Sequence, residues 1–196
     1  MAEPESSQGT GVARHELVLG GQRSGKSACA EALAQQWLAQ ASAHRALLIA
    51  TAQAGDPEMR ERIERHKQDR ALRLPALQTV EEPVALAQCL QRHGDAQCLI
   101  LVDCLTLWLT NLMMPQDGAI PVDPAQPIAD LLEALTRLPG PVVLVSNEIG
   151  LGVVPMGAAT REFVDALGRL NQTLARQCAR VTLMVAGLPL AVKGGA

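Results

Sequence analysis

The sequence predicts an α/β fold in which a mainly parallel sheet carries helices on both faces. Three observations lead there. Short apolar runs alternate with helix-compatible stretches along the chain. Two of those runs, 98–103 and 141–146, are almost continuously apolar, as strands buried on both faces must be. The octapeptide Gly20-Gly21-Gln22-Arg23-Ser24-Gly25-Lys26-Ser27 lies between the first apolar run and the first helical stretch, where a strand–loop–helix phosphate-binding unit requires it.

Taken in order, Glu16 to Gly20 reads as the first strand and Lys26 to Ala41 as the first helix. Arg45 to Ala50 is a second buried strand that ends at Thr51. Beyond Gly55, Pro57 flanked by Asp56 and Glu58 signals a helix start, and Met59 to Arg70 is a charged helix of the kind that usually faces solvent. Glu82-Pro83 opens another helix through Leu90, and the central strand from Cys98 closes on Asp103. Leu105 to Met114 is helical. Pro115, Pro121, Pro124 and Pro127 mark the longest loop, and Ile128 to Leu138 forms the next helix. The strand Pro141 to Ser146 runs into Asn147-Glu148. Phe163, Leu167, Leu170 and Leu174 share one face of a helix from Thr160 to Ala179. Val181 to Ala186 is the last strand. No repeat or linker divides the chain, so residues 15–196 read as one domain and 1–14 as a disordered leader.

Composition removes several classes of function. The net charge is −3 without a basic block, which argues against a nucleic-acid partner. Aromatic residues are too few, at 2%, to build base-stacking platforms. Five cysteines lack paired or metal-like spacing, and read as reduced core residues. Neither a signal core nor a membrane span is present, so the expectation is a soluble, cytoplasmic protein without membrane insertion.

The octapeptide carries the chemistry. Its glycines let successive N–H groups point inward at an anion, and the following helix turns its positive end toward the same phosphates. Lys26 reaches the β- and γ-phosphates of a nucleoside triphosphate, and Ser27 is placed for Mg²⁺. Asp103, closing a strand downstream, is the expected second metal-holding group. In a parallel sheet Thr51, Asp103 and Asn147-Glu148 all fall at the strands' carboxyl ends, beside the loop. His66 lies among Arg62, Arg65, Lys67 and Arg70, cations that favour a neutral, nucleophilic imidazole and would steady a phosphate under attack. Spacing alone also allows a surface histidine on a charged helix. The stretch from Ser146 to Pro155 is a Gly-punctuated apolar loop, too apolar to be solvated filler, and reads as a lid or substrate wall. Arg161, at a helix start, is a candidate to point into the same cleft, and spacing alone also allows an ordinary helix-start arginine.

The order of Gly20 to Ser27, Ile49-Ala50-Thr51-Ala52, Arg62-Ile63-x-x-His66-x-x-x-Arg70, Thr79-Val80-Glu81, Val102 to Thr106, and Ser146-Asn147-Glu148-Ile149-Gly150 through Pro155 resembles one family. With Arg161, Phe163, Asp165, Gly168 and Asn171-Gln172, it is similar to the bifunctional adenosylcobinamide kinase/adenosylcobinamide-phosphate guanylyltransferases of cobalamin biosynthesis. Leu77 stands where a Trp is common, and the stretch before Glu81 is longer.

That resemblance implies a single-domain, RecA-like P-loop NTPase with two activities. The first phosphorylates the hydroxyl of adenosylcobinamide with ATP or GTP. In the second, His66 attacks the α-phosphate of GTP, releases pyrophosphate, and passes GMP to adenosylcobinamide phosphate, giving adenosylcobinamide-GDP. The catalytic residues implied are His66 and Lys26. Nucleotide contacts fall on Gly20, Gly21, Gln22, Arg23, Ser24, Gly25, Lys26 and Ser27, on Ala50, Thr51 and Ala52, on Lys67, Gln68, Asp69 and Arg70, and on Glu81 and Asp103. Ser27 and Asp103 would hold Mg²⁺. The resemblance also suggests a homo-oligomer, with a trimer as its state. Two other readings remain open here: a P-loop small-molecule kinase without guanylyltransferase activity, and a non-catalytic nucleotide switch or assembly ATPase.

Overall fold

Strands with apolar side chains at both parities need cover on both faces, and the architecture supplies it. The computed structural model describes residues 12–116 and 118–195. The chain runs β1 (His15–Gly20), α1 (Lys26–Gln40), β2 (Arg45–Ala50), α2 (Pro57–Arg73), β3 (Gln78–Glu81), α3 (Leu86–His93), β4 (Cys98–Asp103), α4 (Leu105–Met113), α5 (Ala125–Arg137), β5 (Val142–Val145), α6 (Ala158–Gln177), β6 (Arg180–Val185) and β7 (Leu188–Lys193). Its seven strands form one sheet in the order β3-β2-β4-β5-β1-β6-β7. All neighbours are parallel except β6 and β7. β5 therefore separates β1, which leads into the phosphate loop, from β4, which ends in Asp103. This is the α/β class the sequence predicts.

Odd and even strand positions feed two cores. Leu17, Ile49, Ile100, Val102 and Leu144 pack with helix residues such as Trp108, Leu135 and Leu170 on one face. Val18, Leu48, Leu99, Leu101 and Val143 pack against Ala30, Leu33 and Ala34 of α1 on the other. Trp108 is fully buried, and its indole N–H donates to Val84 O at 2.9 Å. α2 stands apart because it buries none of its residues. It is started by Asp56, which accepts from Met59 N at 2.7 Å, and by Pro57.

Several boundaries differ from the sequence reading, each for a local reason. The expected helix from Glu82 begins only at Leu86, because the Glu82 carboxylate first ties down the N–H groups of Val84 and Ala85 at 3.0 and 2.7 Å. The loop through Pro127 is shorter than expected, since α5 already starts at Ala125; proline is tolerated there because first-turn N–H groups have no helical partner. α6 likewise begins at Ala158 rather than Thr160. β3 is an additional short strand, and β6 is not the last one. At Ala186 and Gly187 (φ 51° and 83°) the chain makes a two-residue turn of positive φ and returns as β7. His15 opens β1, with Nε2 against Leu135 O at 2.8 Å, and His93 ends α3. The expected leader lies outside the described residues through 11; Val12 packs on the second core, and Arg14 donates to Thr136 O and Leu138 O. No helix among the described residues is long and apolar enough to cross a membrane.

Cys29, Cys89, Cys98, Cys104 and Cys178 are all free thiols. Burial pushes each of them up from the ordinary thiol range, Cys104 to about 11 and Cys178 to about 12. Since the thiolate is the reactive form, an aromatic disulfide reagent at neutral pH is expected to find no fast-reacting thiol in the folded protein and all five after denaturation. A stoichiometric fast phase from the folded protein would contradict this burial.

Candidate active site

A strand that must release its chain into a tight loop needs a residue without a side chain at its end. Gly20 closes β1 at φ 153°, and a Cβ there would meet Ser24 Oγ at 2.5 Å and Met184 O at 2.6 Å. The loop is pinned from both sides, by Gly187 N donating to Ser24 O at 3.1 Å and by Glu148 N donating to Gly20 O at 3.1 Å. Lys26 is only 9% exposed, and its ammonium donates to Gly21 O at 2.6 Å. Burial lowers its pKa, with nearby Asp103 acting the other way. A buried ammonium beside a concave run of N–H groups is a polyanion site, because phosphate oxygens would offset the lost hydration.

Ser27 Oγ donates to Asp103 Oδ2 at 3.1 Å, which joins the start of α1 to the end of β4. A hydroxyl and a carboxylate oxygen are the hard donors that Mg²⁺ takes, with phosphate and water completing its shell. The described residues hold no cluster of three or more His, Cys, Asp and Glu that would make a self-sufficient metal cage.

Above the phosphate loop α2 forms the second wall of a cleft of about 760 Å³. Gln22, Arg23, Ser24, Gly25, Lys26, Ser27, Ala50, Ala52, His66, Lys67, Asp69, Arg70, Glu81 and Asp103 line it, so most of the expected site residues meet in one place. Gly20, Gly21, Thr51 and Gln68 do not. Thr51 is fully buried, with Oγ1 donating to Cys104 O at 2.7 Å and accepting from Cys104 N at 2.9 Å; it ties the end of β2 to the end of β4. Gln68 is two residues past His66, on the outward face of α2.

His66 itself is exposed on the cleft. The cations around it are more engaged than the sequence suggests. Arg65 pairs with Glu61 at 2.8 Å, and Lys67 with Glu81 at 3.0 Å and Glu64 at 3.3 Å. Arg62, one turn before His66, faces the Gln22 side chain, and with the amide oxygen turned toward the guanidinium the two are 2.7 Å apart and join α2 to the phosphate loop. Arg73 reaches the buried Glu31 of α1 at 2.9 Å. Burial raises the Glu31 pKa, and Arg73 followed by Arg70 opposes it.

The sequence reading missed Asn111 and gave Thr106 and Asn171, which it names only as motif residues, no supporting role. Asn111 Nδ2 donates to Thr51 O at 2.8 Å and to Pro83 O at 3.0 Å. Asn147, another lining residue, is held by Thr106 Oγ1 at 2.9 Å and by Asn171 Nδ2 at 3.0 Å. Polar residues inside otherwise apolar helix faces, Asn111 in α4 and Asn171 in α6, were the available signal. Arg161 lines a second cavity with the loop 148–155, and it donates back to Pro155 O and Met156 O.

Comparison with known proteins now bears on this site. Residues 16–192 match the family model described as cobinamide kinase / cobinamide phosphate guanyltransferase. The bifunctional adenosylcobalamin biosynthesis protein CobP of Pseudomonas aeruginosa is 50% identical over 179 residues, spanning 91% of this chain and 97% of that one. The bifunctional adenosylcobalamin biosynthesis protein CobU of Escherichia coli is 36% identical, over 90% of this chain and 98% of its own. In fold, the chain is similar to flagellar accessory protein FlaH from Methanocaldococcus jannaschii, with a TM-score of 0.55 at 14% identity over 96% of this chain and 84% of the other.

Two substitutions test the geometry. Lys26→Ala is expected to slow nucleotide-dependent turnover by on the order of 10²–10³-fold, about 3–4 kcal/mol of barrier; steady-state rates near wild type would remove Lys26 from the site. Asp103→Asn keeps the shape and removes a ligand charge, so the Mg²⁺ concentration for half-maximal rate is expected to rise. An unchanged titration would leave Asp103 a strand-end residue only.

Proposed function

This chain belongs to the cobinamide kinase / cobinamide phosphate guanyltransferase family, a bifunctional enzyme of adenosylcobalamin biosynthesis, and we propose that both its reactions run at the single nucleotide cleft. The observation that carries the proposal is that His66 lines the same cleft as Lys26, Ser27 and Asp103. A phosphate loop alone supports a kinase. A nucleophilic side chain on the opposite wall is what a nucleotidyl transfer adds.

In the kinase step the loop N–H groups and Lys26 hold the triphosphate of ATP or GTP, and the hydroxyl oxygen of adenosylcobinamide attacks the γ-phosphorus as the bond to the β-phosphate oxygen breaks. Ser27 and Asp103 would hold Mg²⁺, which neutralises charge that builds on the phosphates. In the second step a ring nitrogen of His66 attacks the α-phosphorus of GTP and pyrophosphate leaves. The phosphate oxygen of adenosylcobinamide phosphate then displaces the imidazole, giving adenosylcobinamide-GDP and free His66. Arg62 and Arg70 lie on the wall beside His66, where cationic charge favours the pentacoordinate phosphorus. Gly20, Gly21, Thr51 and Gln68 act through the backbone or as supports in this reading, and Gln22 to Ser27, Ala50, Ala52, Lys67, Asp69, Arg70, Glu81 and Asp103 contact the nucleotide.

Residues 15–196 are read as one catalytic domain working in the cytoplasm. The exposed aliphatic residues Leu188, Leu190 and Val192 of the edge strand β7 support a homo-oligomer, with a trimer as the state to test.

His66→Ala is the deciding variant. It is expected to abolish labelling of the protein by α-labelled GTP, while phosphorylation of cobinamide persists at reduced rate. The wild-type adduct is expected to be acid-labile and base-stable, as a phosphoramidate is. Label retained by the variant, or wild-type label that survives mild acid, sinks the role of His66.

A further inference from the structure

Two cavities lie on either side of the residues that follow β5. Asn147 lines the nucleotide cleft, and the next residue, Glu148, lines a second cavity of about 780 Å³ that opens between the loop 148–155 and α6. Its chemistry is unlike that of the nucleotide cleft. One wall is aliphatic, with Leu151, Val153 and Val154 at 82%, 95% and 74% exposure. The other carries Arg161, Asp165, Arg169 and the amide of Gln172. Such a surface suits a bulky, amide-bearing acceptor rather than a triphosphate.

The seam between the cavities is rigidly placed. Ser146 N donates to Val18 O at 3.0 Å, Asn147 is held by Thr106 and Asn171, and Glu148 N donates to Gly20 O, the first residue of the phosphate loop. The half-buried Glu148 carboxylate accepts from Gly150 N at 2.9 Å through Oε1, and it joins no ion pair among the described residues. Asp103 is engaged by Ser27, and Glu81 by Lys67. Glu148 is thus a carboxylate with spare acceptor capacity beside both the phosphate loop and the second cavity.

The two half-reactions differ in what they need from a base. Phosphorylating an alcohol requires the hydroxyl proton to leave. A neutral imidazole and a phosphate monoester are already nucleophiles at neutral pH. We propose that Glu148 is the general base of the phosphorylation half-reaction, taking the proton from an acceptor hydroxyl seated in the second cavity. As the acceptor oxygen bonds to the γ-phosphorus and the bond to the β-phosphate oxygen breaks, the hydroxyl proton passes to the Glu148 carboxylate. The resulting carboxylic acid returns it to water after the nucleoside diphosphate leaves. This assignment rests on the bifunctional reading given above.

Glu148→Gln tests it, because glutamine keeps an oxygen for Gly150 N and the shape of the loop. Three rates are measured on one preparation: protein labelling by α-labelled GTP without acceptor, GMP transfer to cobinamide phosphate prepared beforehand, and phosphorylation of cobinamide. Phosphorylation is expected to lose on the order of 10²–10⁴-fold in kcat with KM little changed, while the other two rates stay close to wild type. A phosphorylation rate near wild type overturns the assignment, and so does an equal loss of all three, which makes Glu148 a prop of the loop. Failure of the bifunctional reading shows separately, in wild-type protein that lacks either the labelling or the phosphorylation of cobinamide.

Discussion

An ammonium group taken out of water sets conditions for everything around it. Lys26 gives up hydration to sit at the carboxyl edge of the sheet, and the chain answers with the carbonyl of Gly21 and the charge of Asp103. Neither fully replaces water for a cation. The site is therefore preorganised for phosphate before any arrives, and reorganisation is avoided at the moment of reaction. The same requirement reaches down into the sheet. The loop can curl around its lysine only because Gly20 fits against Met184 of β6 and because Gly187, in the turn to β7, donates to Ser24. The β6–β7 hairpin is part of the phosphate site although it contributes no lining residue.

The opposite wall obeys another logic. α2 buries nothing, so hydrophobic packing does not hold it. Arg62 to Gln22, Lys67 to Glu81 and Arg73 to Glu31 do. Exposed ion pairs contribute about 0–1 kcal/mol each and weaken with salt. The pair at Glu31 is less screened, because that carboxylate is buried in α1. His66 lies between the attachment at Arg62 and the one at Lys67, so its backbone is fixed while its ring stays open to the cleft. An exposed helix would be a poor place for a core residue, and the open ring is what the nucleophilic role proposed for His66 requires.

What could be read from the sequence follows from how local each signal is. β4 was legible because both its faces are buried and nearly every residue is apolar. β3 was not, since Gln78, Thr79 and Glu81 give no apolar pattern and the strand gains its place from pairing with β2. β7 is exposed along its length and contains Pro189, features tolerated only at an edge. The phosphate loop and Asp103 were legible as contiguous motifs. Asn111, and the contact that Asn171 makes, were not, because their partners Thr51 and Asn147 lie 60 and 24 residues away. His66 was ambiguous from spacing alone; the Arg62-to-Arg70 grouping and the family resemblance decided it, and the structure adds the cleft that it lines.

One nucleotide site serving two reactions follows from the shape of a triphosphate. Its γ- and α-phosphorus atoms are separated by two bridging oxygens and the β-phosphate, so groups on different walls can address different ends of one bound molecule. Lys26, Ser27 and Asp103 belong to the floor, where γ-phosphoryl transfer is a matter of charge and alignment. His66 belongs to the roof on α2, and in the proposed second reaction it supplies the lone pair that attacks. Asn147 lines the nucleotide cleft and Glu148 the second cavity, so in the proposed reading an acceptor in the second cavity is seated next to that junction. A hydroxyl there is the group that the first reaction phosphorylates. Once phosphorylated, the same arm is longer by a phosphate and carries its own nucleophilic oxygen toward the roof. The second reaction thus depends on the first, because the phosphate that the first installs is the nucleophile of the second.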